Sequence, residues 1–404
     1  MSNRDKEVPE GFKLAEQGQI PAEWETVRLS EFAEVKYGKA TPKDHGQIPV
    51  VGSGGVFSNT SIPLVDFPTI VIGRKGTAGK VWFCPSPCYP SDTAFYLRWR
   101  RDIDIPFVFY FMTLNPLSGE HAKTTVPSIQ KPYLENMIIP LPPLLEQHAI
   151  AGVLSTVQKA IEAQDKIVAA ARELKKSLMR HLFTYGPVPV SEAENVPLKE
   201  TEIGPVPEHW KVVKAGKHLK IHAGGTPSRQ VPEYWGGSFP WIKTGEVNYT
   251  RIMSTEETIS LAGLHNSAAK LLPKGTLVMA MYGQGVTRGR VAILGIEAAM
   301  NQACAALIPD TTLSSEFLYT YFTYAYEAVR SLGHGAHQKN LSADIIKQID
   351  IPVPPGGEQH LISSLVEIVE HKIRSEENRK AALQALFKTM LHLLMTGKMR
   401  VVGG

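Results

Sequence analysis

Two long stretches of the chain repeat apolar residues at alternating steps of three and four. From Glu146 to Leu182, Ile150, Val153, Val157, Ala160, Gln164, Ile167, Ala171, Leu174 and Leu178 fill the a and d positions of a heptad frame. From Glu358 to Leu394 the same frame holds Ile362, Leu365, Val369, Lys372, Glu376, Arg379, Leu383, Leu386 and Met390. Leu154, Ile161, Val168, Val366 and Ile373 widen the stripe on its e side. Each stretch opens after Pro-Pro with a glutamate in the first turn, where a negative charge suits the helix dipole. The pattern predicts two helices of roughly 55 Å at about 1.5 Å per residue. Neither helix covers such a stripe alone, so each is the evident partner of the other. Ile150, Val157, Gln164, Leu178, Ile362, Val369, Glu376 and Leu383 are the expected interface. Gln164 and Glu376 break the stripes at their midpoints, and the order globular, helix, globular, helix favours an antiparallel return that brings the two polar breaks into one layer. The alternative reading leaves both residues at a solvated edge.

The helices are the second half of a repeated unit. Ile20-Pro-Ala-Glu-Trp24 returns as Val206-Pro-Glu-His-Trp210, and a glycine (Gly38, Gly224) and a Thr-Pro follow each. Thr77–Val81 matches Thr287–Val291, Phe107–Met112 matches Phe317–Phe322, and Gln130-Lys131 is echoed by Gln338-Lys339. The strongest match is Ile139-Pro-Leu-Pro-Pro-Leu-Leu-Glu-Gln-His148 with Ile351-Pro-Val-Pro-Pro-Gly-Gly-Glu-Gln-His360. The segments before the helices read as mixed α/β: β-rich runs such as Thr69–Ile72 and Thr276–Ala280 are punctuated by Gly and Pro, and Phe107–Leu114 and Phe317–Ala328 read as buried helices.

Composition narrows the chemistry. The 404 residues are 43% hydrophobic and 20% charged, with a net charge of +4. That is an ordinary soluble composition, with neither a membrane-length apolar run nor a secretory leader. Three cysteines make no disulfide framework, which points to a reducing, cytoplasmic setting. Gly73-Arg-Lys-Gly-Thr-Ala-Gly-Lys80-Val81 approaches a phosphate loop, but its first glycine is one residue too far from Lys80, and Val81 lacks the hydroxyl for magnesium. No dinucleotide-type glycine fingerprint follows a strand. Cys84-Pro-Ser-Pro-Cys88 has no second ligand pair, and His334-Gly-Ala-His337 reads as a polar loop. Catalytic and metal sites are therefore expected to be absent.

What both halves keep is a set of small, polar and basic residues in glycine-rich loops, suited to phosphates and base edges. The candidates for DNA binding are Lys39, Thr41, Arg74, Lys75, Thr77, Lys80, Gln130 and Lys131 in the first half. In the second they are Thr226, Arg229, Gln284, Thr287, Arg288, Arg290, His337, Gln338 and Lys339.

The paired Ile/Val-Pro-x-x-Trp openings, the two Pro-Pro-x-x-Glu-Gln helix starts and the Gly-Lys-Met-Arg400-Val ending closely resemble the specificity subunit of type I restriction–modification systems. The resemblance runs from about Phe12 to Val402. It implies an α+β fold: two mixed α/β target-recognition domains in pseudo-twofold repeat, joined by two long helices paired as an antiparallel coiled coil. The implied parts are recognition domains at 1–140 and 205–352, spacer helices at 141–185 and 353–404, and a linker at 186–204. Each domain would read one half of an asymmetric, gapped DNA site, with the helices setting the gap and docking two methyltransferase subunits. Restriction subunits would join that core, and S-adenosylmethionine, ATP and magnesium would belong to the partners. The outward charges Lys159, Glu162, Lys166, Arg172 and Glu173 are candidate docking residues. Two rivals stand beside this reading: a helical scaffold without base readout, and a nuclease or methyltransferase in its own right, for whose catalytic domain the two halves leave no room.

Overall fold

In a computed structural model the described residues are 9–16, 18–117, 128–283, 286–332 and 340–401. Two compact units are built, one from residues 1–166 and 377–404, the other from 167–376. Both boundaries fall inside the long helices, Leu144–Tyr185 and Gly356–Met395, so each unit contains one globular part and one half of each helix.

The two globular parts share a plan. In the first, an antiparallel sheet runs in the spatial order Ala33–Tyr37, Ala94–Trp99, Thr69–Gly73, Val81–Cys84. In the second the order is Leu219–Ala223, Cys304–Pro309, Leu277–Ala280, Val291–Leu294, with Arg251–Ile252 added in parallel at the edge. A smaller sheet accompanies each: Gly55–Thr60 against Ile48–Gly52 against Tyr89–Pro90, and Glu257–Ile259 against Trp235–Ile242 against Ala299–Met300. Helix Ile105–Leu114 covers the first large sheet and Ser315–Tyr324 the second; Asp104 and Ser314 cap them by accepting from the amides of Phe107 and Phe317. Gly38 and Gly224 mark the same crossing in both halves. A Cβ would meet the Ser91 carbonyl oxygen at 2.0 Å at Gly38 and the Asn301 carbonyl oxygen at 2.2 Å at Gly224, so only glycine fits.

Within each unit the helix halves run antiparallel. In the first, Glu146 partners Arg400 and Asp165 partners Lys380, so one chain advances as the other recedes. In the second, the Lys175 ammonium lies 2.7 Å from Glu370. The seam differs from the expected frame. Leu154, Ile161 and Val168 are buried (0%, 7% and 6% exposed), whereas Ile167 and Leu174 are 45% and 59% exposed. Val366 and Ile373 are likewise buried while Leu365 and Leu386 face out. The residues labelled a and e form the working seam, equivalent to an a/d seam whose phase is shifted. Both phases space apolar residues by three and four, so the pattern alone did not choose. Of the expected interface, Ile150, Gln164, Ile362 and Glu376 are buried, and Val157, Leu178, Val369 and Leu383 are half-buried. The burial of Gln164 and Glu376 removes the solvated-edge reading; Lys372 covers Glu376 from its own helix.

Residues 186–204, expected as a linker, instead carry a 3-10 turn at Val190–Asn195 and the strand Leu198–Lys199, which pairs with Val206–Pro207. This hairpin is the counterpart of Phe12–Ala15 with Gly18–Pro21 in the first half.

Candidate nucleic-acid interface

The motifs that repeat most faithfully build a joint between helix and globular part. Trp24, fully buried, donates its indole N–H to Glu146 Oε2 (3.2 Å), and Arg400 grips the same carboxylate through Nε and Nη2 at 2.7 and 2.9 Å. Arg400 also reaches Glu23 at 2.6 Å and holds that carboxyl below its ordinary range. In the second half, Trp210 donates to Glu358 Oε2 at 2.8 Å, with His209 Nε2 at 2.7 Å from Oε1. The glutamine that follows each glutamate completes the joint. Gln147 accepts from the Asp104 amide and donates to the Pro142 carbonyl; Gln359 accepts from the Ser314 amide and donates to the Thr312 and Pro354 carbonyls. Pro-Pro-x-x-Glu-Gln therefore fastens each helix to the cap of a domain helix. The glycines that end the long helices close the same joint: Gly397 lies against Pro21 and Trp24, Gly186 against Pro207 and Trp210. These residues are structural.

The candidate DNA-binding residues of the first part gather instead where three loops meet. The turn after Ile48–Gly52 brings Ser53 against the loop after Thr69–Gly73: a Cβ on Gly73 would lie 3.2 Å from the Ser53 Cβ, and one on Gly76 3.6 Å from its Oγ. The Ser53 amide donates to Thr93 Oγ1 (3.2 Å), which lies 2.8 Å from Ser91 Oγ. Arg74 sits over the rings of Tyr37 (5.4 Å) and Phe95 (5.9 Å) and donates Nη2 to the Asp92 carbonyl at 2.6 Å. Lys80 Nζ stands 4.5 Å from the Trp82 ring. Lys39, Thr41, Lys75, Thr77 and Lys80 are exposed. Backbone amides, small hydroxyls and free cations thus share one glycine-lined surface with the exposed carboxylate of Asp92, a combination that suits phosphates and base edges. Gln130 and Lys131 begin the short helix Lys131–Glu135, where Lys131 pairs with Glu135 at 3.4 Å. That helix starts beside the loop surface, because the Ile129 amide bonds the Arg74 carbonyl.

The second part reuses the frame with other residues. The Gly73–Lys80 and Gly79–Gly73 amide–carbonyl bonds have counterparts in Ala280–Arg290 and Gly289–Ala280, and Ile129–Arg74 corresponds to Leu341–Met281. Lys80 therefore matches Arg290. Gln130, however, corresponds to Ser342, the cap of helix Ala343–Lys347, and not to Gln338; the echo of Gln-Lys in sequence is not an equivalence in the fold. Arg290 donates to Asn248 Oδ1 (2.7 Å) and lies over Tyr249, which is held at φ +51°, the left-handed region that a bulky residue seldom adopts. Burial pushes the Tyr249 hydroxyl pKa up. Arg229 stacks 3.5 Å over Trp235 and pairs with Glu257 at 2.7 Å, while Thr226 donates to Gln302. Thr287 is half-buried, and Arg288 is only 8% exposed, its Nη2 donating to the Arg330 carbonyl at 3.1 Å. Arg288 thus serves the interior, which separates it from Lys75. Gln284, His337, Gln338 and Lys339 lie outside the described residues. The sequence reading missed Ser53, Ser91, Thr93, Tyr37 and Tyr249; the Gly52-Ser-Gly-Gly55 run was the available signal for the first of these.

Cys84 and Cys88 are buried in the core beside Val51, Val65 and Val71, and among the described residues no group of three or more His, Cys, Asp or Glu is placed to hold a metal ion. Nor is any described helix long and apolar enough to cross a membrane.

The type I restriction modification DNA specificity domain matches the chain twice, over residues 21–170 and 207–385. This chain belongs to that family. Two relatives from Methanocaldococcus jannaschii align over nearly their whole length. The type I restriction enzyme MjaVIII specificity subunit is 25% identical over 97% of this chain and 96% of its own, and the putative MjaX specificity subunit is 27% identical over 97% of each. The crystal structure of the type I restriction–modification S subunit from M. genitalium shares the fold, with a TM-score of 0.64 over 95% of this chain and 97% of that one, at 17% identity. The fold is thus α+β: two mixed domains carried by two long antiparallel helices.

Proposed function

We propose that this chain is the DNA-recognition subunit of a type I restriction–modification complex, in which each globular part reads one half of a bipartite, asymmetric, gapped site. One observation carries the reading: both halves keep the same joint and the same loop frame but place different side chains in the loops. Two readers of different chemistry call for two different half-sites, so the target is not palindromic. The long helices, roughly 60 Å each at about 1.5 Å per residue, act as the spacer that sets the gap. Their exposed apolar residues, Ile167 and Leu174 among them, together with Lys159, Glu162, Lys166, Arg172 and Glu173, offer docking surface to two methyltransferase subunits. On this reading the chain is not itself catalytic and works in the cytoplasm. Adenine methylation and cleavage belong to the methyltransferase and restriction subunits, which carry S-adenosylmethionine, ATP and magnesium. The chain's own sequence supports this, since it has neither a phosphate loop nor a dinucleotide fingerprint.

The test is selection from randomised duplex DNA by this chain co-purified with its methyltransferase subunit. Two unlike blocks at a fixed separation are expected, and equal insertions in both helices widen the gap. A single ungapped motif would leave one reader only. Methyl transfer by the purified lone chain would overturn the non-catalytic assignment.

A further inference from the structure

We infer that Phe57 is a base-reading residue of the first domain, contacting the C5-methyl group of one thymine in its half-site; the inference rests on the proposed DNA-recognition function. Phe57 lies on the strand Gly55–Thr60, paired with Ile48–Gly52. The register places Val50 opposite Ser58 and Val51 opposite Val56, so Phe57 has no opposite number and is the extra residue of a β-bulge. Bulges of this kind re-aim a side chain and recur beside functional surfaces.

The bulge keeps a phenyl ring 60% exposed to water without covering it. The ring is nonetheless part of the loop cluster. A Cβ on Gly52 would meet Phe57 Cε1 at 3.0 Å, Ser91 Oγ at 3.2 Å and Thr93 Oγ1 at 3.2 Å, so an apolar ring and two hydroxyls surround one bare glycine. Ser53, next in sequence, abuts the loop that carries the exposed Lys75 and Thr77. Charge points to the occupant: the loop that Ser53 abuts carries Arg74, Lys75 and Lys80, with Asp92 as the neighbouring exposed carboxylate. An apolar protein surface has no need of such a cationic border, whereas a duplex brings phosphates to the lysines. In its major groove the thymine methyl is the apolar feature that a phenyl ring can read.

The second domain has a register irregularity of its own, between Trp235 and Phe239, but among the described residues no phenyl ring stands exposed at the matching turn. Its corresponding segment after Trp235–Ile242 is Lys243, held between Glu256 and Glu257, followed by the 3-10 turn Thr244–Glu246. The thymine contact therefore belongs to the first half-site alone.

The experiment uses the chain co-purified with its methyltransferase subunit and the duplex selected by that complex. Each thymine is replaced in turn by deoxyuridine, which removes only the methyl group. One position in one half-site is expected to lose about 5-fold to 10-fold in affinity. Phe57→Ala is expected to bind thymine and uracil there equally, while Ile62→Ala, exposed beyond the far end of the same strand, keeps the discrimination. The inference falls if no position distinguishes the two bases, if the discrimination survives in Phe57→Ala, or if Phe57→Ala weakens all duplexes alike. Loss of the methyltransferase subunit from Phe57→Ala would overturn it in favour of a protein-docking role. Failure of the native complex to bind any duplex selectively would instead bring down the recognition function itself.

Discussion

The two helix joints and the two reading faces of this chain diverge in opposite ways. At both joints a fully buried tryptophan donates to the first-turn glutamate of a long helix, a glutamine ties that helix to a domain-helix cap, and a glycine ends the other helix against the tryptophan. Only the last partner changes, from Arg400 to His209. On the reading faces the backbone bonds persist, yet Arg74 corresponds to Met281 and Thr93 to Ala303. Interior parts that must satisfy each other's hydrogen bonds cannot change singly. Loop side chains over a fixed frame can, and that freedom is what a reader of varied sequences needs.

The largest effects should come from the joints. Trp24→Ala and Trp210→Ala each remove a fully buried indole and one hydrogen bond to a first-turn glutamate, costing about 3–5 kcal/mol. Urea unfolding checks this, and a difference above about 2 kcal/mol between the two would show that they are not the same device. Next come the helices. Ile161→Ala should cost about 2–4 kcal/mol, because it empties a buried seam position. Leu174→Ala should stay within about 0.5 kcal/mol in the lone chain, yet loosen association with the methyltransferase subunit. The opposite ranking would restore the heptad frame that the sequence suggested.

That frame shows what the sequence could and could not disclose. The repeat was legible because Pro-Pro-x-x-Glu-Gln and the tryptophan openings are fixed by local packing. The role of the glutamates was only half legible: the dipole argument placed Glu146 correctly in its first turn, but its partners Trp24 and Arg400 are distant in sequence. Heptad phase was ambiguous because Leu154 and Val153, or Val168 and Ile167, are equally apolar, and burial alone separates them. The equivalence of Gln130 with Ser342 was hidden because a helix cap is defined by backbone bonds, which tolerate either residue. Phe57 escaped notice because a bulge is a property of register between strands.

A smaller effect separates two basic residues of the loops. Lys75→Ala should weaken duplex binding alike on all sequences and reduce the salt slope by about one. Arg288→Ala should instead lower stability, since its guanidinium serves the Arg330 carbonyl inside the second part. Filter binding at two salt concentrations, beside thermal melts, distinguishes them. A matching loss of salt slope in both variants would return Arg288 to the reading face.

The finest contrast concerns one carboxylate of each globular part. Asp44 is held by the Ser61 hydroxyl and amide and the Thr60 hydroxyl, all uncharged donors, and its pKa falls to about 2. Glu257 is lowered by a hydrogen bond from Arg229, opposed by desolvation and aided by Lys243. Both pKa values are depressed, so both groups stabilise the fold above their ordinary range, and that contribution disappears as pH falls through that range toward the folded value. Salt should tell them apart, because ionic strength screens exposed charge pairs and leaves neutral hydrogen bonds nearly untouched. In an NMR titration of the side-chain carboxyls, 0.5 M salt is expected to raise the Glu257 midpoint toward the ordinary glutamate value while that of Asp44 stays near 2. Equal movement of both would mean that the first globular part, too, holds its carboxylate by charge, and that the two parts differ less in their physics than in their residues.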